Sequence, residues 1–199
     1  MKKSIYSPFK RLGDFVLSLM GLIVLSPLIL LLALLIKLDS KGPIFFLQKR
    51  VGINKSYFMI YKFRTMRTDT PKDMPTHMLQ DPNRYITRMG AFLRRTSLDE
   101  LPQLFNIIKG DMAVVGPRPA LWNQDDLIAE RDTNGSNTIR PGLTGWAQIN
   151  GRDELPIKVK ARFDGEYVEK MGFVTDVKIF ILTILVSVTG RGMSEGAST

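Results

Sequence analysis

The chain has 199 residues, with 28 Lys plus Arg against 19 Asp plus Glu, a formal charge of +9, one histidine and no cysteine. The absent cysteine excludes a disulfide framework and thiolate chemistry, and a single His77 in a Pro-rich stretch argues against a zinc site or a His-dependent triad. A basic balance fits nucleic acid, an anionic membrane surface or a phosphorylated substrate.

Residues 1–14 are a basic, mixed lead-in suited to a membrane surface. From Phe15 to Ile36 there are 22 residues without one ionisable side chain. A straight helix of that length is about 33 Å long, enough for a hydrocarbon core of roughly 30 Å, so a membrane segment is predicted. Ser26-Pro27 falls at its midpoint. Proline removes a backbone donor, and the neighbouring Ser hydroxyl is placed to serve the freed carbonyl. Lys2, Lys3, Lys10 and Arg11 precede the run, and Lys37, Lys41, Lys49 and Arg50 follow it. A crossing helix carries its Lys/Arg excess on one side. Two basic flanks favour a re-entrant helix, broken at Ser26-Pro27, with both ends on the cytoplasmic face; a kinked transmembrane anchor is the alternative. A cleaved signal peptide is not expected. Residues 1–40 are therefore assigned to a membrane element. Residues 41–199, about 160 residues, suit one compact cytosolic domain.

Gly42-Pro43 ends the membrane element. Ile44 to Gln48 and Tyr57 to Phe63 read as two strands around a turn at Gly52-Ile53-Asn54. The second runs into Lys62, Arg64 and Arg67. Residues 67–84, with Pro71, Pro75 and Pro82, read as a long loop and a candidate lid. Ile86 to Arg95 reads as a short helix. In Ser97 to Gly110, apolar residues at 101, 104, 105 and 108 give a helical face with Gly110 as its stop. Ser97 and Glu100 match a capping box. An Asp99 cap is preferred, because it places Pro102 in the first turn. Ala113 to Val115 reads as a strand leading into Gly116-Pro117-Arg118-Pro119, whose prolines fix the backbone around Arg118. Residues 120–138 read as a helix and a Gly/Asn/Ser-rich loop, and 139–152 as turns and a strand. Pro156 to Met171 reads as a surface helix, Phe173 to Val188 as an interfacial or core helix, and the tail from Gly190 as flexible. The fold class is α+β, mainly helical, with short strands.

The chemistry-bearing residues are cations near turns and one adjacent acid pair. Lys62, Arg64, Arg94, Arg118, Arg140 and Arg152 can form an anion site, since guanidinium groups grip phosphate; taken singly, each also fits a solvated surface. Asp99-Glu100 fits either helix capping or a site in which one carboxylate is a nucleophile or magnesium ligand and its neighbour holds the ion or handles a proton.

Four ordered blocks, SPLILLLALLIKLDSKGPIFFLQKRVG, YKFRTM, SLDELPQLFNIIKGDMAVVGPRP and RPGLTGWAQINGR, resemble the bacterial sugar transferases, the small monotopic phosphoglycosyl transferases that start glycan assembly on a polyprenol phosphate. The resemblance covers about residues 8–196. It implies a magnesium-dependent reaction at the cytoplasmic face of the bacterial inner membrane. A UDP-sugar gives its phosphosugar to undecaprenyl phosphate, and UMP leaves. It also implies the re-entrant helix broken at Ser-Pro. The family's Asp-Glu dyad falls on Asp99 and Glu100, with Asp99 attacking the β-phosphorus to form a phosphosugar-aspartyl intermediate. Its other positions fall on Lys62, Arg94 and Arg118, with Arg152 on the phosphate side. Asp164 matches a further acid more loosely. The family usually works without a bound organic cofactor. The donor sugar stays open, an N-acetylated amino sugar being a family-level expectation. The oligomeric state is also open, a homodimer among the options. The competing reading is a non-enzymatic membrane module that holds anionic lipid or nucleic acid through its charge. The four blocks argue against it, and no nucleic-acid partner is expected.

Overall fold

The computed structural model describes residues 2–70, 81, 84–151 and 155–189. Most of the expected loop at 67–84, Arg152 and the tail from Gly190 lie outside the described residues.

The first helix, α1, runs Lys2–Asp39 with Pro8 and Pro27 inside it. The expected break at Ser26-Pro27 is not an interruption of the helix. Pro27 cannot donate to the carbonyl of Ile23, and Ser26 Oγ donates to that oxygen instead, at 2.8 Å, so the lost donor is replaced within one turn. The carbonyls just past the end of α1 are met by a cation. Arg64 donates to Lys41 O, Ser40 O and Ser40 Oγ at 2.7, 2.7 and 2.9 Å.

One face of α1 packs on the rest of the chain, with Ile29, Leu32 and Ile36 buried against Phe63 and Leu93. Its N-terminal half is tied down by polar contacts. Lys10 Nζ lies 2.6 Å from Asp176, and Tyr6 and Tyr167 donate to the same carboxylate at 2.9 and 2.8 Å. The opposite face is bare: Phe9, Leu12, Ile23, Val24, Leu30 and Leu38 are each at least 63% exposed.

Strand β1, Phe45–Val51, pairs antiparallel with β2, Tyr57–Phe63, Phe46 facing Lys62 and Gln48 facing Ile60. β1 runs three residues past the expected end. The connection is a 3-10 turn at Ile53–Lys55, with Asn54 and Lys55 at φ 52° and 60°. Helix α2 covers Arg88–Thr96, capped by Thr87, whose side chain accepts from Gly90 N at 2.9 Å. It starts later than expected because Ile86 bridges Met66. Helix α3 is Gln103–Lys109, with Gly110 at φ 96° closing it. Its buried residues are Gln103, Leu104, Asn106 and Ile107, while Phe105 is 39% exposed. Of the apolar face read from 101, 104, 105 and 108, Leu104 is buried and Leu101 and Ile108 are partly so; Phe105 alone departs from it.

Strand β3, Ala113–Val115, pairs parallel with β4, Gly142–Thr144. Helices α4 (Asp125–Asp132), α5 (Trp146–Ile149), α6 (Ile157–Lys170) and α7 (Phe173–Thr189) complete the described fold. α6 is more than a surface helix, since Ala161, Asp164 and Tyr167 are buried. The main core joins β2, α3, β3, α6 and α7 through Ile60, Ile107, Met112, Val115, Tyr167 and Ile179. Along α7, Phe173, Val174, Ile181, Ile184 and Leu185 stay at least half exposed, so its apolar character is only partly spent on the core. The α+β, mainly helical class is the one observed.

Candidate active site

Asp99 and Glu100 lie in a 3-10 turn, Leu98–Glu100, that follows a left-handed Ser97 at φ 56° and leads through Leu101 and Pro102 into α3. Neither capping arrangement is present. No side chain caps the turn, and the residue at the cap position of α3 is Pro102. The left-handed Ser97 turns the chain so that both acids face β2 and the Arg118 loop instead of the backbone N–H groups of α3.

Lys62 sits on the inner face of the hairpin, at the end of β2. Its Nζ lies 2.8 Å from Glu100 Oε1 and 3.5 Å from Asp99 Oδ2. Arg118 Nη1 donates to the same Glu100 oxygen at 3.1 Å. The loop bearing Arg118 is fixed by close backbone contact: Gly116 N donates to Thr144 O and Gly142 N to Pro117 O, each at 2.8 Å. A Cβ on Gly142 would stand 2.1 Å from Gly116 N, so only glycine permits the approach. This contact joins the PRP and RPGLTG blocks.

The two acids are held differently. Burial raises the Asp99 carboxyl, Lys62 works against that, and the Glu100 charge adds to it. Burial also acts upward on Glu100, but Lys62 and Arg118 outweigh it and hold that carboxyl well below the usual range. Glu100 is thus a fixed anion that organises two cations. Asp99 is 9% exposed and, among the described residues, its side chain has only the longer contact with Lys62.

Arg94 lies on α2, where its Nε donates to Thr65 Oγ1 at 3.0 Å, and its charge acts on Asp99. α2 is seated by Gly90, where a Cβ would meet Thr65 O at 1.9 Å. Two of the candidate cations have other work. Arg64 caps α1 as described, and Arg140 Nε donates to Gly110 O at 2.9 Å beyond the end of α3. Asp164 is also engaged elsewhere. Arg131 Nε and Nη2 donate to its Oδ2 at 2.9 and 2.7 Å, joining α4 to α6. The structure therefore brings together Lys62, Asp99, Glu100 and Arg118, with Arg94 close enough to act electrostatically. Gln103, fully buried one turn beyond the dyad, was not singled out from the sequence; its only signal was a polar residue directly after Pro102 in the dyad block.

Among the described residues no group of three or more His, Cys, Asp or Glu is placed to hold a metal. Magnesium needs no such cage: it binds through one or two carboxylates and takes its remaining ligands from substrate phosphates and water. Asp99 and Glu100 fit that mode.

The acid pair has one member clamped by two cations and the other at a longer contact, the kinds of group that bind and act on phosphates. The bacterial sugar transferase family profile matches residues 5–190, and the chain belongs to that family. It is 41% identical over 187 residues to an undecaprenyl-phosphate glucose phosphotransferase of Komagataeibacter xylinus, covering 88% of this chain and 35% of that protein. It is 41% identical over 198 residues to exopolysaccharide production protein PSS of Rhizobium leguminosarum, covering 92% and 97%. It is 37% identical over 196 residues to a UDP-N-acetylgalactosamine-undecaprenyl-phosphate N-acetylgalactosaminephosphotransferase of Aeromonas hydrophila, covering 94% and 45%. The chain thus spans about a third to a half of two of these relatives and nearly all of the other.

Proposed function

We propose that the protein transfers a phosphosugar from a UDP-sugar to undecaprenyl phosphate, releasing UMP and leaving a diphosphosugar in the membrane. The observation that carries this reading is the asymmetric dyad, with Glu100 Oε1 taken by Lys62 and Arg118 and Asp99 beside it. An Asp99 carboxylate oxygen attacks the β-phosphorus of the donor. The bond from that phosphorus to the bridging oxygen breaks, and UMP departs with the electron pair. An oxygen of the carrier phosphate then attacks the same phosphorus and frees Asp99. Lys62, Arg94 and Arg118 bring three anions together, with Arg152 assigned to the phosphate side. Asp99 and Glu100 would hold magnesium, which would supply further neutralisation of the phosphate oxygens. The reading divides the chain into a membrane element, 1–40, and a catalytic domain, 41–199.

The carrier is insoluble, so the site must work at a membrane surface, which we assign to the cytoplasmic face of the inner membrane. The bare apolar faces of α1 and α7 support membrane contact. The ties of Lys10 to Asp176 and of Arg11 to the carbonyls of Ile107 and Ile108, at 2.6 and 3.0 Å, support the re-entrant path over a crossing helix. They hold the N-terminal half of α1 against the polar domain that also covers its C-terminal half. A cysteine label at Lys3 and another at Glu195 should both react from the cytoplasm; opposite sides would mean a crossing helix.

The relatives' names specify glucose in one case and N-acetylgalactosamine in another, and none fixes the donor here. A screen of UDP-sugars with undecaprenyl phosphate and magnesium, read as UMP, tests the reaction. At least one donor should give UMP with the wild-type protein and none with Asp99→Asn. Full turnover by Asp99→Asn would refute the nucleophile assignment.

A further inference from the structure

We propose that Gln103 is a positioning residue for Asp99, its side-chain amide taking hold of that carboxylate when a phosphate ligand draws Lys62 away. The proposal rests on the reading of Asp99 as the nucleophile.

Gln103 is 2% exposed, and its Nε2, out of reach of solvent, has no hydrogen-bond partner among the described residues. A buried donor without an acceptor is unfavourable and rare. Its position explains what it could serve. The backbone is one hydrogen-bonded run from Ser97 onward, with Glu100 N donating to Ser97 O, Leu101 N to Leu98 O and Leu104 N to Leu101 O at 3.3, 3.3 and 3.1 Å. A 3-10 turn stacks residue i on i+3 and an α-helix stacks i on i+4. At the junction of the two, Gln103 lies one turn beyond both Glu100 and Asp99. Farther along the same face, the Asn106 side chain accepts from Tyr61 N and donates to Met59 O at 2.9 and 2.8 Å. Gln103 thus lies between that clamp on β2 and the contact of Asp99 with Lys62.

The two carboxylates differ as acceptors. Glu100 Oε1 already takes both Lys62 and Arg118. Asp99 has Lys62 at 3.5 Å. A diphosphate carries more negative charge than one carboxylate and competes for Lys62. As Lys62 turns to it, Asp99 loses that contact, and the idle amide on its own face replaces it by a change of rotamer. The exchange also suits the chemistry. A neutral amide fixes the carboxylate's orientation without adding to the positive charge already beside it.

The test uses the full chain in vesicles containing undecaprenyl phosphate, with magnesium and the UDP-sugar that yields UMP. Gln103→Met removes the donor at similar length. The expected result is an unchanged or higher Tm, a KM for UDP-sugar within about 2-fold and a kcat lower by about 10- to 100-fold. An unchanged kcat, or a Tm and kcat that fall together, overturns the proposal. Gln103→Leu is the second variant; if neither folds, the amide is a structural element and the proposal is overturned. Asp99→Asn is measured alongside. If it keeps turnover, the nucleophile reading has failed and this one with it. If it is dead while Gln103→Met is fully active, only the role of Gln103 has failed.

Discussion

Two of the carboxylate–cation clusters among the described residues are built differently. Arg131 and Asp164 are 5% and 1% exposed at their side chains and meet through two hydrogen bonds on one oxygen. The dyad cluster is more open, with Lys62 and Glu100 each 17% and Arg118 27% exposed at the side chain. It has two acids and an uneven share of contacts. Burial raises both the Asp164 and the Asp99 carboxyl, so a raised carboxyl does not by itself mark a site. In the proposed site, residual access, a second acid and an under-used acceptor set Asp99 apart from Asp164.

The largest expected effect falls on the open cluster. Asp99→Asn should cut UMP release by roughly a thousandfold or more without loss of fold. The closed pair should answer in stability instead. Asp164→Asn leaves Arg131 buried without its partner and should cost about 3–5 kcal/mol, seen in a denaturant melt. Replacing both with apolar residues, Arg131→Met with Asp164→Leu, should recover most of that loss. Activity per folded molecule should hold throughout; a specific loss of UMP release in the double variant would bring Asp164 back into the site.

Arg118→Ala should come next, at about 10²- to 10³-fold in kcat/KM, because it removes a fixed cation from the anion side. The smallest effect separates the two acids by sign. The Asp99 carboxyl is raised, so its ionisation costs stability at neutral pH, and that cost disappears as pH falls below the ordinary aspartate value of 3.8. The Glu100 carboxyl is lowered, so its ionisation contributes stability above the ordinary glutamate value of 4.5, lost as pH falls below it. At pH 7 Asp99→Asn should raise Tm and Glu100→Gln lower it, each by about 2–4 °C for about 1 kcal/mol in a chain of this length. Shifts of the same sign would mean that the two acids are held alike.

The dyad, Lys62 and Arg118 were legible because local chemistry marks them: adjacent acids before a helix, a cation at a strand end, an arginine between two prolines. Arg64 and Arg140 looked the same in sequence. Their work is to meet carbonyls at Ser40, Lys41 and Gly110, and the partners lie too far along the chain for spacing to show them. Arg131 and Asp164 are 33 residues apart, with the same result. Phe105 on α3 departs from its periodicity for a different reason. Periodicity assumes that apolar residues face inward, yet here Phe105 is exposed while Gln103 and Asn106 are buried. The cap at Asp99 failed because a left-handed Ser97 redirects the chain. The strands, most helices and the Ser26 substitution for the missing Pro27 donor followed from local rules.

The central claim is that Asp99 carries the phosphosugar. Incubating the protein with UDP-sugar and magnesium but no carrier, then weighing its peptides, tests this directly. The account predicts UMP released in amounts no greater than the enzyme present and a phosphosugar mass added to the peptide containing Asp99, removed on adding undecaprenyl phosphate. No added mass, together with UMP appearing only when the carrier is present, would contradict it.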